Sequence, residues 1–158
     1  MEKKTVYLGL GSNLGDKRDI LTRATELLSL ALGSTAHSST CVESEPWGFE
    51  SQNNFVNCVV AIETESTPLQ LLHITEEIER KLGRERKSTN GQYSDRAIDI
   101  DILFYGNEVM TSERLTIPHP LLHKRLFVLE PLNEIAPHLV HPVLHRTTAE
   151  LLADLASR

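Results

Sequence analysis

An α+β fold, an antiparallel sheet with helices on one face, is predicted by three observations. Two segments of helical period each separate apolar strand patterns. The second and third strand patterns follow one another with no helix between them, and the fourth alternates apolar with acidic residues. A helix permits a crossover between strands, whereas a helix-free connection favours an antiparallel pair. The order is therefore β-α-β-β-α-β, the ferredoxin-like layout, followed by a Pro-rich helical extension.

Thr5 to Leu10 reads as a buried first strand ending in the turn-forming run Gly11-Ser12-Asn13-Leu14-Gly15-Asp16. A helix begins near Asp16, with Ile20, Leu21, Ala24, Leu27, Leu28, Ala31 and Leu32 at helical spacing and Gly33 as its C-cap. His37 to Val42 makes the second strand, Glu43 to Asn54 a loop containing Pro46 and Gly48, and Phe55 to Glu63 the third strand. Thr67 as N-cap and Pro68 at the first helical position open a second helix, which runs through Leu71, Leu72, Ile74, Ile78 and Leu82 to Gly83. The fourth strand begins near Ile98 and ends at Tyr105. Beyond it, Leu126 to Ile135 and Thr148 to Leu155 are helical, and Pro118, Pro120, Pro131, Pro137 and Pro142 keep the remaining path bent.

A chain of 158 residues suits one well-buried domain, and we expect a single domain over residues 1–158. Hydrophobic content of 40% with 24% charged residues is that of a globular protein, and no apolar run approaches the ~20 residues that span a bilayer. Met1-Glu2-Lys3-Lys4 leads directly into a strand rather than an apolar leader, so the default location is cytoplasmic. Cys41 and Cys58 lack metal or redox spacing and read as small apolar strand residues. A net charge of −6 disfavours general nucleic-acid binding. Five of the seven His residues lie between His119 and His145, but the flanking prolines of His119 and the lack of an H-E-x-x-H arrangement argue against zinc.

The chemistry concentrates on the fourth strand. Alternation puts Ile98, Ile100 and Ile102 on one face and Asp99 and Asp101 on the other, so two carboxylates project together. Neighbouring acids on a strand repel unless water solvates them, arginines neutralise them or a cation lies between them. The preceding run Arg80-Lys81-Leu82-Gly83-Arg84-Glu85-Arg86-Lys87 carries five cations against one acid. Carboxylates beside clustered Arg and Lys suit a polyanion held by Mg²⁺ on one side and guanidinium groups on the other; a solvated helix end is the plainer alternative. Gly9-Leu10-Gly11-Ser12-Asn13-Leu14-Gly15 is not a dinucleotide-binding turn, because its last glycine is one position late and the strand order is not parallel. An RNA-recognition sheet would share the element order, but the central strands lack its basic-aromatic signature.

Gly11-Ser12-Asn13 after the first strand, Arg96-x-x-Asp99-x-Asp101 on the fourth and Leu115-Thr116-Ile117-Pro118-His119-Pro120 beyond it resemble 6-hydroxymethyl-7,8-dihydropterin pyrophosphokinases. Phe55-Val56-Asn57, Leu82-Gly83-Arg84 and Glu130 to Pro137 extend the resemblance over nearly the whole chain. It implies transfer of pyrophosphate from ATP to the hydroxymethyl group of the pterin, with release of AMP, in folate biosynthesis. By the same resemblance Asp99 and Asp101 would bind two Mg²⁺ ions. Arg84, Arg86, Lys87, Arg96, His119 and Arg125 would line the phosphates, and Glu79, with Glu76 and Thr116 more weakly, would lie near the nucleotide. Phe55 and Phe127 would stack on the pterin while Asn57 and groups near Ser44 read its amide edge.

Taken alone, Phe55 and Phe127 would be core residues, Glu79 an exposed helix residue and His119 a loop-stabilising hydrogen-bond donor. Asn57, inside an apolar strand, needs a polar partner in any reading. The chain departs from many relatives at Asp95, where they have Pro, and from some at Pro120, where they have Tyr; its loop from Arg86 to Arg96 is about two residues longer than in shorter relatives. Tyr93 is the candidate lid aromatic, and the Gly and Ser content of residues 88–92 predicts a closing loop. A monomer is expected, and a catalytically silent pterin- or nucleotide-binding relative is the competing function.

Overall fold

The computed structural model describes residues 2–45, 53–83 and 97–157. Five strands make one antiparallel sheet: β1 (Lys4–Ser12), β2 (His37–Ser38), β3 (Val42–Ser44), β4 (Phe55–Thr64) and β5 (Asp99–Tyr105), in the order β2-β4-β1-β5 with β3 also on β4. Helices α1 (Lys17–Leu32) and α2 (Pro68–Lys81) make the two crossovers. The ferredoxin-like order read from the sequence is therefore the order observed. Three boundaries moved. β1 runs on through Gly11 and Ser12 rather than turning at Gly11, the second strand is broken into β2 and β3, and β3 takes Glu43 and Ser44 from the expected loop.

The break is a bulge. Ser38 pairs with Val60 and Val42 with Asn57, so three residues of one segment oppose two of the other. Ser39 fills the gap: its N–H donates to the Val59 carbonyl, and its buried hydroxyl accepts the Val59 N–H, both at 2.9 Å. Cys41 thus falls outside a strand, while Cys58 lies buried in β4 with its thiol pushed up to about 12 by burial and the nearby Cys41. A second irregularity lies between β1 and β5, where Tyr7 pairs with Phe104 but Leu8 with Ile102.

Both helix starts follow local chemistry. Asp16 caps α1, Gly33 ends it at φ 67°, and Thr67 forms a reciprocal capping box with Gln70 ahead of Pro68. Their apolar stripes bury one sheet face, where Leu21, Ala24, Leu28, Leu71 and Ile78 meet Val6, Leu8, Leu10, Val60, Ile100 and Ile102.

The C-terminal extension covers part of the other face. After a small hairpin, β6 (Met110–Thr111) with β7 (Thr116–Ile117), come a 3-10 turn at Leu122–Lys124, α3 (Leu126–Ile135) and α4 (Thr148–Ala156). Leu129, Leu132 and Leu151 pack on Val59, Leu103 and Phe104 there. The sheet is thus sandwiched, with one stretch of its second face left for the residues described next. No helix of the described residues is long and apolar enough to cross a membrane.

Candidate active site

Antiparallel register builds the site. Gly11 pairs with Asp99 on one side and Asn57 on the other, and Asn57 pairs in turn with Val42. Residues directly opposite one another share a sheet face, so a row Asp99-Gly11-Asn57-Val42 crosses the sheet, with Asp101-Gly9-Val59 beside it. Glycine at the middle of each row leaves a groove between carboxylates and amide. At Gly11 the space is used: a Cβ there would lie 2.9 Å from Asn57 Oδ1 and 3.5 Å from the Phe55 ring. Asn57 is buried, and its Nδ2 donates to Ser44 Oγ at 2.8 Å, which fixes the orientation of the amide.

The two carboxylates are half-buried at the start of β5, with Ile98, Ile100 and Ile102 in the opposite core. Arg125, buried at the N-cap of α3, places Nη1 3.8 Å from Asp101 Oδ2 and its guanidinium carbon 5.5 Å from the centre of the Phe127 ring. One arginine therefore joins the acidic side of the groove to α3, which lies against β3 and β4. Phe55 and Phe127 are both half-buried, and Phe127 also packs against the core beneath α3.

His119 follows a cis Ile117–Pro118 bond, and its N–H donates to the Leu103 carbonyl at 3.0 Å. Its ring accepts rather than donates within the loop: Nδ1 takes the Leu121 N–H at 3.1 Å. Burial, with Arg125 nearby and only partly offset by Asp99, lowers its pKa to about 4. The ring is neutral at physiological pH, with its hydrogen on Nε2.

Glu79 corrects the sequence expectation of an exposed helix residue. It is 6% exposed, and Oε2 accepts the Ile100 N–H at 2.8 Å, tying α2 to β5 between the two aspartates. Glu76 is paired with Arg114 at 3.2 Å, and Thr116 sits half-buried on β7. Arg84, Arg86, Lys87, Tyr93, Asp95, Arg96 and the proposed closing loop at 88–92 lie outside the described residues.

Among the described residues no group of three or more His, Cys, Asp or Glu is placed to hold a metal ion. Two carboxylates on one face still fit a hard divalent cation that takes its other oxygens from phosphate and water, as Mg²⁺ does.

The family model for 7,8-dihydro-6-hydroxymethylpterin-pyrophosphokinase (HPPK) matches residues 7–137, which contain every described residue of this site. The chain belongs to the HPPK family. It is accordingly a pyrophosphokinase, and a nucleic-acid-binding sheet or a silent binding relative is not favoured. It is similar to the 2-amino-4-hydroxy-6-hydroxymethyldihydropteridine pyrophosphokinase of Porphyromonas gingivalis, 49% identical over 87% of this chain and 93% of that one. The Aquifex aeolicus protein of the same name is 42% identical over 92% and 89%. The folic acid synthesis protein fol1 of Schizosaccharomyces pombe is 39% identical over 99% of this chain, which spans 21% of that longer protein.

Solved HPPK-DHPS structures share the HPPK fold at lower identity. One described as a complex with substrates superposes with a TM-score of 0.79 at 17% identity, and the Plasmodium falciparum protein with 0.75 at 18%. Each match covers 99% of this chain, which spans 44% and 43% of those chains.

Sequence reasoning missed the Ser39 bulge, the brace from Glu79 to the β5 backbone and the partner that Gly11 makes room for. Gly11 was visible as part of Gly11-Ser12-Asn13, but the reason for the glycine lies on β4, 46 residues along the chain.

Proposed function

We propose that this chain transfers the terminal pyrophosphoryl group of ATP to the hydroxymethyl oxygen of 6-hydroxymethyl-7,8-dihydropterin, a step of folate biosynthesis. The hydroxymethyl oxygen bonds to the β-phosphorus, the bond from that phosphorus to the oxygen bridging to the α-phosphate breaks, AMP leaves with that oxygen, and the hydroxyl proton is released. The observation that carries the reading is the row Asp99-Gly11-Asn57, which sets a carboxylate suited to metal-bound phosphate and a buried amide suited to a pterin edge on the two strands that flank β1.

In this reading Phe55 and Phe127 stack on the flat bicycle, and Asn57, oriented by Ser44, hydrogen-bonds its amide edge. Asp99 and Asp101 would hold two Mg²⁺ ions, which when bound would neutralise triphosphate charge and orient it for in-line attack. Arg125 anchors Asp101 and offers cationic charge to the phosphates. Neutral His119 donates from Nε2 to a phosphate oxygen while its Nδ1 holds the loop. Arg84, Arg86, Lys87 and Arg96 are assigned to the phosphates, and Glu79, with Thr116 more weakly, to the nucleotide side. Glu79 acts there by holding the β5 backbone. The proposal includes a single pyrophosphokinase domain over residues 1–158, acting as a cytoplasmic monomer.

The test is to incubate the purified protein with ATP, Mg²⁺ and 6-hydroxymethyl-7,8-dihydropterin and to separate the products by chromatography. Joint, Mg²⁺-dependent appearance of AMP and pterin diphosphate is expected. ADP in place of AMP would overturn pyrophosphoryl transfer, and a folded protein that binds both substrates without product would be a silent relative.

A further inference from the structure

Lys17 occupies the first turn of α1, where the helix dipole disfavours a cation. Its ammonium points away from the helix instead. Nζ donates to the Asn54 carbonyl at 2.8 Å, across 37 residues of chain. Beside it the fully buried Asn13 sends Nδ2 to the preceding carbonyl, that of Asn53, at 3.4 Å. A side chain of the β1–α1 connection and one from the first turn of α1 thus grip consecutive carbonyls at the entry to β4.

The second of those carbonyls has a particular consequence. The Asn54 C=O and the Phe55 N–H belong to one planar peptide unit, so fixing the oxygen fixes the plane from which the Phe55 side chain departs. The ring of Phe55 in turn lies 3.5 Å from where a Gly11 Cβ would be, on the groove floor. Backbone direction at Phe55 is therefore set from two places, by its pairing with Ser44 on β3 and by Lys17, which reaches the start of β4 from α1.

We propose that Lys17 is a positioning residue for the pterin subsite: it holds the Asn54–Phe55 peptide so that Phe55 presents its ring as a flat platform. The inference rests on the assignment of Phe55 to pterin stacking. It concerns one substrate only, since the clamp acts on the Phe55 edge of the groove while the carboxylates and Arg125 lie on its other side.

Steady-state kinetics on Lys17→Met, Lys17→Arg and Phe55→Ala test it. Met keeps the aliphatic stem and removes the donor, whereas Arg restores a cationic donor. Lys17→Met is expected to raise the KM for the pterin about tenfold, the order of a hydrogen bond to a charged group, with the KM for ATP and kcat within about twofold of the parent. Lys17→Arg is expected to recover most of the pterin KM. If Phe55→Ala raises the pterin KM and Lys17→Met does not, the clamp is wrong while stacking stands. If neither raises it, the stacking assignment fails and the clamp with it. Equal changes in both KM values, or a loss confined to kcat, would show a general structural role and overturn the proposal.

Discussion

A glycine inside a strand weakens it unless the missing side chain leaves space that something else uses. At Gly11 that space belongs to the Asn57 amide, 2.9 Å from a Cβ that is not there. Gly11→Ala is therefore expected to push Asn57 off its bond to Ser44, to cost about 1–3 kcal/mol in urea unfolding and to raise the pterin KM at least about tenfold. A parent-like KM in that variant would mean the amide is not used on substrate. On the other side of the same glycine, Asp99→Ala and Asp101→Ala are each expected to lower kcat by two orders of magnitude or more while leaving the circular dichroism spectrum unchanged. Asp101→Ala also removes the carboxylate 3.8 Å from buried Arg125, which adds a stability loss of about 1 kcal/mol. Retained turnover in both variants would sink the two-metal proposal. The aspartate pair was legible because alternation is a local rule. Glu79 was not, since what buries it is a backbone N–H 21 residues further on.

Helix boundaries were the most legible elements, and the reason is chemical. Asp16, Gly33, Thr67 and Pro68 act within one turn of where they stand, so their meaning does not depend on the rest of the chain. Bulges obey the opposite logic. His37-Ser38-Ser39-Thr40-Cys41-Val42 carries no alternation from which an extra residue could be noticed, and Ile102-Leu103-Phe104-Tyr105 is apolar throughout, so the irregularity that turns Phe104 to the α3 side leaves no mark on the pattern. The first bulge makes a specific demand. Val59 N–H is served by a hydroxyl, and Ser39→Ala leaves that buried donor unsatisfied. The expected cost is about 1–3 kcal/mol, read as a lower urea midpoint with an unchanged slope. Because the register of β3 sets Ser44 beside Asn57, the same variant is expected to weaken pterin binding more than ATP binding. An unchanged midpoint would mean that water or another acceptor serves Val59.

At the scale of the whole molecule, the C-terminal extension does more than cap the sheet. It supplies Arg125 and Phe127 to the groove, and Glu134 at the far end of α3 binds back to the bulge, accepting from the Thr40 N–H at 2.7 Å and from its hydroxyl at 2.5 Å. Those bonds hold the Glu134 pKa below its usual range. His119 is lowered to about 4, and His141, buried against Phe104 with Nδ1 accepting from Val143 and Leu144, is lowered as well. All three shifts act in one direction. A histidine whose folded pKa lies below 6.5 binds its proton more readily when unfolded, so its contribution is complete above about pH 6.5 and is lost as the pH falls toward 4. The glutamate contributes above about 4.5, its unfolded value, and loses that contribution below it. Stability of the ligand-free protein is thus expected to fall continuously from pH 7 to pH 4, with His119 accounting for on the order of 2–3 kcal/mol. Urea unfolding at intervals across that range is the measurement. His119→Asn, which keeps an acceptor for the Leu121 N–H but cannot titrate, is expected to flatten the part of the curve between pH 6.5 and 5. A parent profile already flat there would mean that His119 takes up its proton without strain, and that its neutral form is not enforced by the fold.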